Sequence, residues 1–97
     1  MKRVKLTIAY DGTNYCGWQI QPNGITVEEV INKTLSKLTG EQIQVIGASR
    51  TDSGVHALGN VAVFDTESTI PAEKISAAMN QRLPDDIRIQ ESFQVPD

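Results

Sequence analysis

Two kinds of apolar repeat alternate along the 97 residues in a fixed order. Stretches in which every second residue is apolar are typical of strands that bury one face, whereas apolar residues at i, i+3, i+4 and i+7 are typical of amphipathic helices. The repeats follow each other as strand, helix, strand, strand, helix, strand. This order restricts the fold more than any other feature of the sequence, because only a few arrangements bury all six faces at once.

The boundaries of these elements follow from local signals. Thr26 and Glu29 form a capping box at the start of the first helix, and Gly40 lies where a left-handed C-cap is expected. Pro71 suits the first turn of the second helix, and Pro84 is expected to end it. The predicted helices are 26–39 and 71–83, and the predicted strands are 4–10, 42–48, 60–65 and 87–94.

The order βαββαβ predicts an α+β fold of the ferredoxin-like class. In such a fold two helices pack on one face of a four-stranded antiparallel sheet. The strand 60–65 is apolar on both faces, which favours a central position in the sheet. At this length we expect residues 1–97 to form a single domain.

Charge and composition exclude several classes of function. The net charge is −3, which argues against a general phosphate-binding surface, although residues 1–50 carry +2 and residues 51–97 carry −5. A single cysteine (Cys16) excludes an internal disulfide, and a single histidine (His56) argues against a His-rich metal cluster. No window approaches about 18 apolar residues, so we expect no membrane span and a cytoplasmic protein.

Residues 50–56 (RTDSGVH) contain more charged and polar side chains than a short hairpin turn requires. They contain a guanidinium, a carboxylate, two hydroxyls and the imidazole of the chain. One interpretation is a decorated turn, with Asp52 as a turn acceptor paired to Arg50 and Gly54 at positive φ. The other is a functional site. The residue types alone leave both open.

The long loop after the first strand is the second candidate region. Tyr15 and Trp18 are expected to anchor this loop on the core, with the polar side chains of Gln19 and Gln21 available for contacts. Cys16 has no flanking base, so nothing indicates a nucleophile there.

Four segments of the sequence resemble one known family, the tRNA pseudouridine synthases of the TruA type. The matches lie in order across nearly the whole chain, and the Arg-Thr-Asp segment is specific. The segments are residues 10–12 (YDG), 17–19 (GWQ), 50–57 (RTDSGVHA) and 80–87 (NQRLPDDI).

The resemblance implies an isomerase that converts uridines 38–40 in the anticodon arm of tRNA to pseudouridine. It implies that Asp52 is the essential aspartate and that no cofactor and no metal take part. It further implies that Arg50 holds the target nucleotide out of the stack and that Thr51 contacts RNA. His56 either supports the loop or contacts an RNA phosphate, and the full-length protein is expected to be a homodimer. Asp52 acts either as a nucleophile on the sugar or as a base at its C2′ position, and both roles require an ionised carboxylate.

Two features of the sequence depart from the family pattern. Ser53 stands where the family more often has alanine, a small change that should leave the loop intact. Family members also continue past residue 97 into a second, similar domain, and the cleft lies between the halves. The chain is therefore expected to be the N-terminal, catalytic half of a two-domain synthase.

Two other functions fit the same fold. A non-enzymatic RNA-binding module would stack bases on aromatic side chains of its central strands, but those strands offer only Phe64. A structural or oligomerisation domain would use residues 50–56 as a mere connection, so replacing them with a Gly-Asn turn would leave every function intact.

Overall fold

A computed structural model describes residues 1–22, 24–47 and 57–96. The strands are β1 (Lys2–Tyr10), β2 (Ile46–Gly47), β3 (Ala57–Thr66) and β4 (Ile87–Val95). The helices are α1 (Val27–Thr39) and α2 (Ala72–Asn80), and a 3₁₀ turn covers Gly12–Asn14. The element order is therefore the predicted βαββαβ.

The four strands form one antiparallel sheet in the order β2-β3-β1-β4. The longest pairing joins β1 to β3, from Lys2 opposite Thr66 to Tyr10 opposite Ala57. This order is that of a ferredoxin-like fold, so the predicted class is confirmed. The predicted central position of the third strand is confirmed as well.

The core lies between the sheet and the two helices. In β1, every second residue from Val4 to Tyr10 is buried, and the same alternation continues in β3. The radius of gyration is 12.4 Å, close to the about 12.5 Å expected for a compact domain of this length. The largest side chains with almost no exposure are Trp18, Phe64, Leu6, Ile8, Ile31, Leu35, Ile75, Met79 and Ile89.

Both ends of α1 are capped as predicted, except that the Glu29 carboxylate bonds Lys33 instead of completing the capping box with Thr26. The hydroxyl of Thr26 accepts a hydrogen bond from the amide of Glu29 (3.3 Å), which satisfies one of the unpaired donors of the first turn. At the other end Gly40 adopts φ +73° and its amide donates to the carbonyl of Ser36 (3.0 Å). The predicted helix 26–39 is thus confirmed, with Thr26 as its N-cap.

Gly40→Ala is expected to destabilise the chain by about 1–2 kcal/mol, because a left-handed backbone strains any residue with a Cβ. No atom lies within 4 Å of the added Cβ, so the whole effect would come from the backbone. Gly59→Ala is the matched control, since its Cβ would meet its neighbours at 3.7 Å without positive φ. Urea unfolding should show the Gly59 variant unchanged or up to about 1 kcal/mol more stable. Equal effects would contradict this account.

Two predicted elements are shorter than expected. Of residues 42–48 only Ile46–Gly47 pair as a strand among those described. The reason is that the amides of Ile43 and Val45 donate to side chains of α1, Ser36 Oγ (3.0 Å) and Asn32 Oδ1 (2.9 Å), instead of to β3. These residues are buried, but they pack as an extended segment along the helix.

The second helix ends at Asn80, three residues before the predicted end. The side chain of Asn80 bonds the backbone of Ile89 twice, donating to its carbonyl (2.9 Å) and accepting from its amide (2.8 Å). The amides of Arg82 and Leu83 both donate to the carbonyl of Met79 (2.9 Å), which closes the helix with a tight turn. Across the described parts of the chain, no helix is long and apolar enough to cross a membrane.

Candidate active site

A cleft of about 440 Å³ opens at the end of the sheet where β1 finishes and β3 and β4 begin. It is lined by Ala9, Tyr10, Asp11, Ala57, Leu58, Asp85, Asp86 and Arg88. The predicted site residues Arg50, Thr51, Asp52 and His56 lie outside the described residues, as does Ser53. Their segment joins Gly47 at the end of β2 to Ala57 at the start of β3. Ala57 itself lines the cleft.

Asp86 connects the turn after β1 to the chain segment that enters β4. Its carboxylate accepts a hydrogen bond from the hydroxyl of Tyr15 (2.6 Å) and a longer one from Asn14 Nδ2 (3.4 Å). Its carbonyl accepts from the amide of Asp11 (2.9 Å). Asp11 in turn accepts from the amide (3.0 Å) and the hydroxyl (2.6 Å) of Thr13. One wall of the cleft is therefore a hydrogen-bonded unit.

The Tyr15 hydroxyl keeps its proton well into the alkaline range. Burial, the hydrogen bond to Asp86 and the charge of that carboxylate, in that order, raise the pKa of Tyr15 well above its usual value near 10. Tyr15 therefore remains a donor at neutral pH. This fixes the orientation of the Asp86 carboxylate at the cleft wall.

Tyr15→Phe is expected to lower the free energy of unfolding by about 1–3 kcal/mol, because it removes a hydrogen bond to a charged group. The raised pKa adds a pH signature. Above about pH 10 the unfolded Tyr15 ionises while the folded one does not, so wild-type stability falls as pH rises. Urea unfolding should be measured for both proteins between pH 7 and 11. The difference in unfolding free energy between the wild type and Tyr15→Phe should decrease above pH 10. A constant gap would contradict the raised pKa.

Trp18 supports the end of β2, directly before the predicted catalytic segment. Its indole is only 1% exposed and stacks on Tyr10, with ring centroids 6.2 Å apart and planes inclined by 27°. It also lies against the backbone of Gly47, where an added Cβ would come within 2.4 Å of Nε1. Only a residue without a side chain fits there as the indole is placed.

The loop between β1 and α1 is held by backbone hydrogen bonds. The amide of Cys16 donates to the carbonyl of Ile25 (2.8 Å), and those of Val27 and Glu28 donate back to residues 17 and 18. Tyr15 and Trp18 are both buried, which confirms that they anchor the loop. Of the two glutamines predicted to be available for polar contacts, Gln21 donates from Nε2 to the carbonyl of Cys16. Gln19 is exposed.

Sequence reasoning gave no role to Asp85, Asp86 and Arg88, which line the cleft. A signal for them was present, since in a βαββαβ sheet the end of β1 and the starts of β3 and β4 meet at one end. Polar residues at those three places are therefore neighbours. The described walls hold three carboxylates, with Asp11 as the third, against one guanidinium, so phosphate is disfavoured there unless other cations join them.

Comparison with known proteins agrees with the resemblance seen in the motifs. A family model described as tRNA pseudouridine synthase matches residues 6–97. The chain is 61% identical over 97 residues to tRNA pseudouridine synthase A of Ruminiclostridium cellulolyticum, covering 100% of the chain and 40% of that protein.

Two further relatives give the same result. The chain is 58% identical over 95 residues to tRNA pseudouridine synthase A of Acetivibrio thermocellus, covering 98% of the chain and 39% of the relative. It is 50% identical over 96 residues to the protein of the same name from Geotalea daltonii, covering 99% and 39%. The chain thus spans about 40% of the length of these curated relatives. Because the family model covers almost all of its residues, the chain belongs to the tRNA pseudouridine synthase family.

Proposed function

We propose that this chain is the N-terminal, catalytic half of a tRNA pseudouridine synthase and that Asp52 is its essential aspartate. The observation that carries the proposal is the cleft at the sheet end where β1 finishes and β3 begins. Asp52 is five residues from Ala57 on the cleft wall, a reach of at most about 18 Å. The relatives are named tRNA pseudouridine synthase A, which supplies the reaction and the substrate class.

The reaction needs one carboxylate and a precise place for the base. The C1′–N1 bond of uridine breaks, the base turns, and a C1′–C5 bond forms, while C5 loses a hydrogen and N1 gains one. Ionised Asp52 acts as a nucleophile on the sugar or as a base at C2′. Either role is favoured by a neighbouring cation, for which Arg50 is the candidate in sequence.

The other segment residues position the RNA. Arg50 takes the place of the extruded uridine in the stack, a move whose unstacking costs a few kcal/mol. Thr51 and His56 contact the RNA beside Asp52. In this proposal no cofactor and no metal take part in the reaction.

The RNA-recognition alternative is disfavoured by where the aromatic residues lie. Phe64 is 2% exposed and packs in the core, so it offers no surface for stacking. On the opposite face of the sheet the central strands present two cross-strand pairs, Lys5 opposite Val63 and Thr7 opposite Val61. The exposed aromatic there is Phe93 on the edge strand, with the Lys5 ammonium 5.3 Å from its ring. These residues form no base-stacking platform on the central strands.

The finer features of the proposal come from the family resemblance. The target uridines are those at positions 38–40 of the anticodon arm, the full-length protein is a homodimer, and it works in the cytoplasm. Sedimentation of the complete gene product should give twice the monomer mass. A monomer would contradict the dimer and leave the proposed reaction untouched.

Substrate choice is tested with tRNA transcripts in which only uridines 38–40 are replaced by cytidine. The complete gene product should form pseudouridine in the parent transcript and none in the replaced one, as measured by mass spectrometry of nuclease digests. A transcript with cytidine at three uridines of another arm is the matched control and should be modified normally. Pseudouridine elsewhere in the replaced transcript would contradict the proposed target.

A further inference from the structure

A second groove lies on the helix side of the domain, away from the cleft. Its volume is about 340 Å³, and it is lined by Val30, Lys33, Thr34, Lys37, Arg82 and Pro84. Three of these six residues are cations and none is an acid. In a chain with a net charge of −3 this concentration of positive charge is unexpected.

The fold accounts for only part of this charge. Lys33 bonds Glu29 at 3.0 Å, one turn before it, and Lys37 lies in the last turn of α1, where the helix dipole favours a cation. Lys33 and Lys37 are themselves one turn apart, a spacing at which like charges disfavour the helix. Arg82, from the turn after α2, adds a third positive charge to the same groove. All three side chains belong to exposed residues.

A short stretch of chain connects the groove to the cleft. Arg82 and Pro84 line the groove, and the very next residues, Asp85 and Asp86, line the cleft. Four residues span at most about 14 Å, a distance that a short run of nucleotides bridges. An RNA with a nucleotide in the cleft can therefore lay its backbone across this connector into the groove.

We propose that Lys33, Lys37 and Arg82 form a phosphate-binding site for the backbone of the tRNA whose uridine enters the cleft. The site rests on the proposed function for its ligand and adds a contact surface outside the cleft. Three cations along one groove match successive phosphates of a stem, and each phosphate contact releases counterions. The acidic walls of the cleft make such a contact useful, because they supply little attraction for the backbone themselves.

The test is the salt dependence of tRNA affinity in the complete gene product. Each phosphate contact contributes about 0.9 to the slope of log affinity against log salt. Lys37→Gln and Arg82→Gln should each reduce the slope by about 0.9. Between 50 and 200 mM salt, the affinity of the double variant should fall about 12-fold less than that of the wild type. The probe is an unmodified tRNA transcript, and the steady-state expectation is a raised KM with kcat retained.

Two control variants sharpen the result. Lys74→Gln removes an exposed cation of α2 that does not line the groove, and its slope should equal that of the wild type. Lys37→Arg keeps the charge and should keep the slope. Unchanged slopes in both groove variants, or an equal change in Lys74→Gln, would overturn the site, including the case in which the groove binds an acidic protein instead.

Failure of the groove and failure of the proposed function give different results. If the wild type modifies tRNA while the groove variants keep its salt slope, the groove alone is wrong. If the groove variants lose slope while the wild type forms no pseudouridine, the phosphate site stands and the proposed reaction is wrong.

Discussion

Trp18→Ala is expected to lower the free energy of unfolding of the chain by about 3–5 kcal/mol. Trp18 is 1% exposed and stacks on Tyr10, so alanine would leave a large cavity between the loop and the sheet. Domains of this size are stable by only about 5–15 kcal/mol, so much of the native stability would be lost. Urea unfolding measures the effect. Trp18→Phe, which keeps an aromatic ring, should cost clearly less, and equal losses would contradict the packing described.

A double-mutant cycle tests the contact between Trp18 and Gly47. Gly47→Ala would place its Cβ 2.4–2.8 Å from three indole atoms, and overpacking of this kind costs about 1–3 kcal/mol. In the Trp18→Ala background the methyl group enters the cavity, so the cost should disappear. Additive effects would show that the two residues do not contact each other.

Asp52→Asn is expected to lower kcat by at least about 10⁴-fold in the complete gene product, because the amide cannot act as a nucleophile or a base. Affinity for tRNA should be unchanged or tighter, since one negative charge near the phosphate backbone is removed. Single-turnover kinetics and filter binding separate the two effects.

Two variants are the controls for Asp52→Asn. Glu73→Gln removes one acid from the first turn of α2, and it should leave kcat unchanged. Asp52→Glu keeps the charge but moves the carboxylate by one methylene, which should still cost about 10²-fold if its position matters. Full activity in the glutamate variant would mean that charge alone is needed.

The parts of the fold that depend on local signals could be predicted from the sequence. The cap of Thr26, the left-handed Gly40 and the alternation of β1 each act within a few residues, and all three are confirmed. The ends of β2 and α2 could not be predicted, because distant partners set them. Asn32 of α1 takes the amide of Val45, and Asn80 binds the backbone of Ile89 in β4.

The candidate site also has a part that could be predicted from the sequence and a part that could not. Residues 50–56 stand out in sequence by their chemistry, and their proposed roles stay predictions. Asp86 and Arg88 were not identified, because nothing in their local sequence marks them and only the strand pairing of the βαββαβ order, which brings β4 next to β1, places them beside Tyr10. The groove cations come from α1 and from the turn after α2, which are far apart in sequence, so Arg82 could not be grouped with Lys37 before the fold was known.

The most direct test of the central claim is tritium release from tRNA transcribed with [5-³H]uridine, because forming the C1′–C5 bond expels the hydrogen at C5. The complete gene product should release tritium in proportion to the pseudouridine formed, and its Asp52→Asn variant should release none above background. Equal release by the two proteins would show that Asp52 is not the catalytic residue. No release by the folded wild type would contradict the synthase itself.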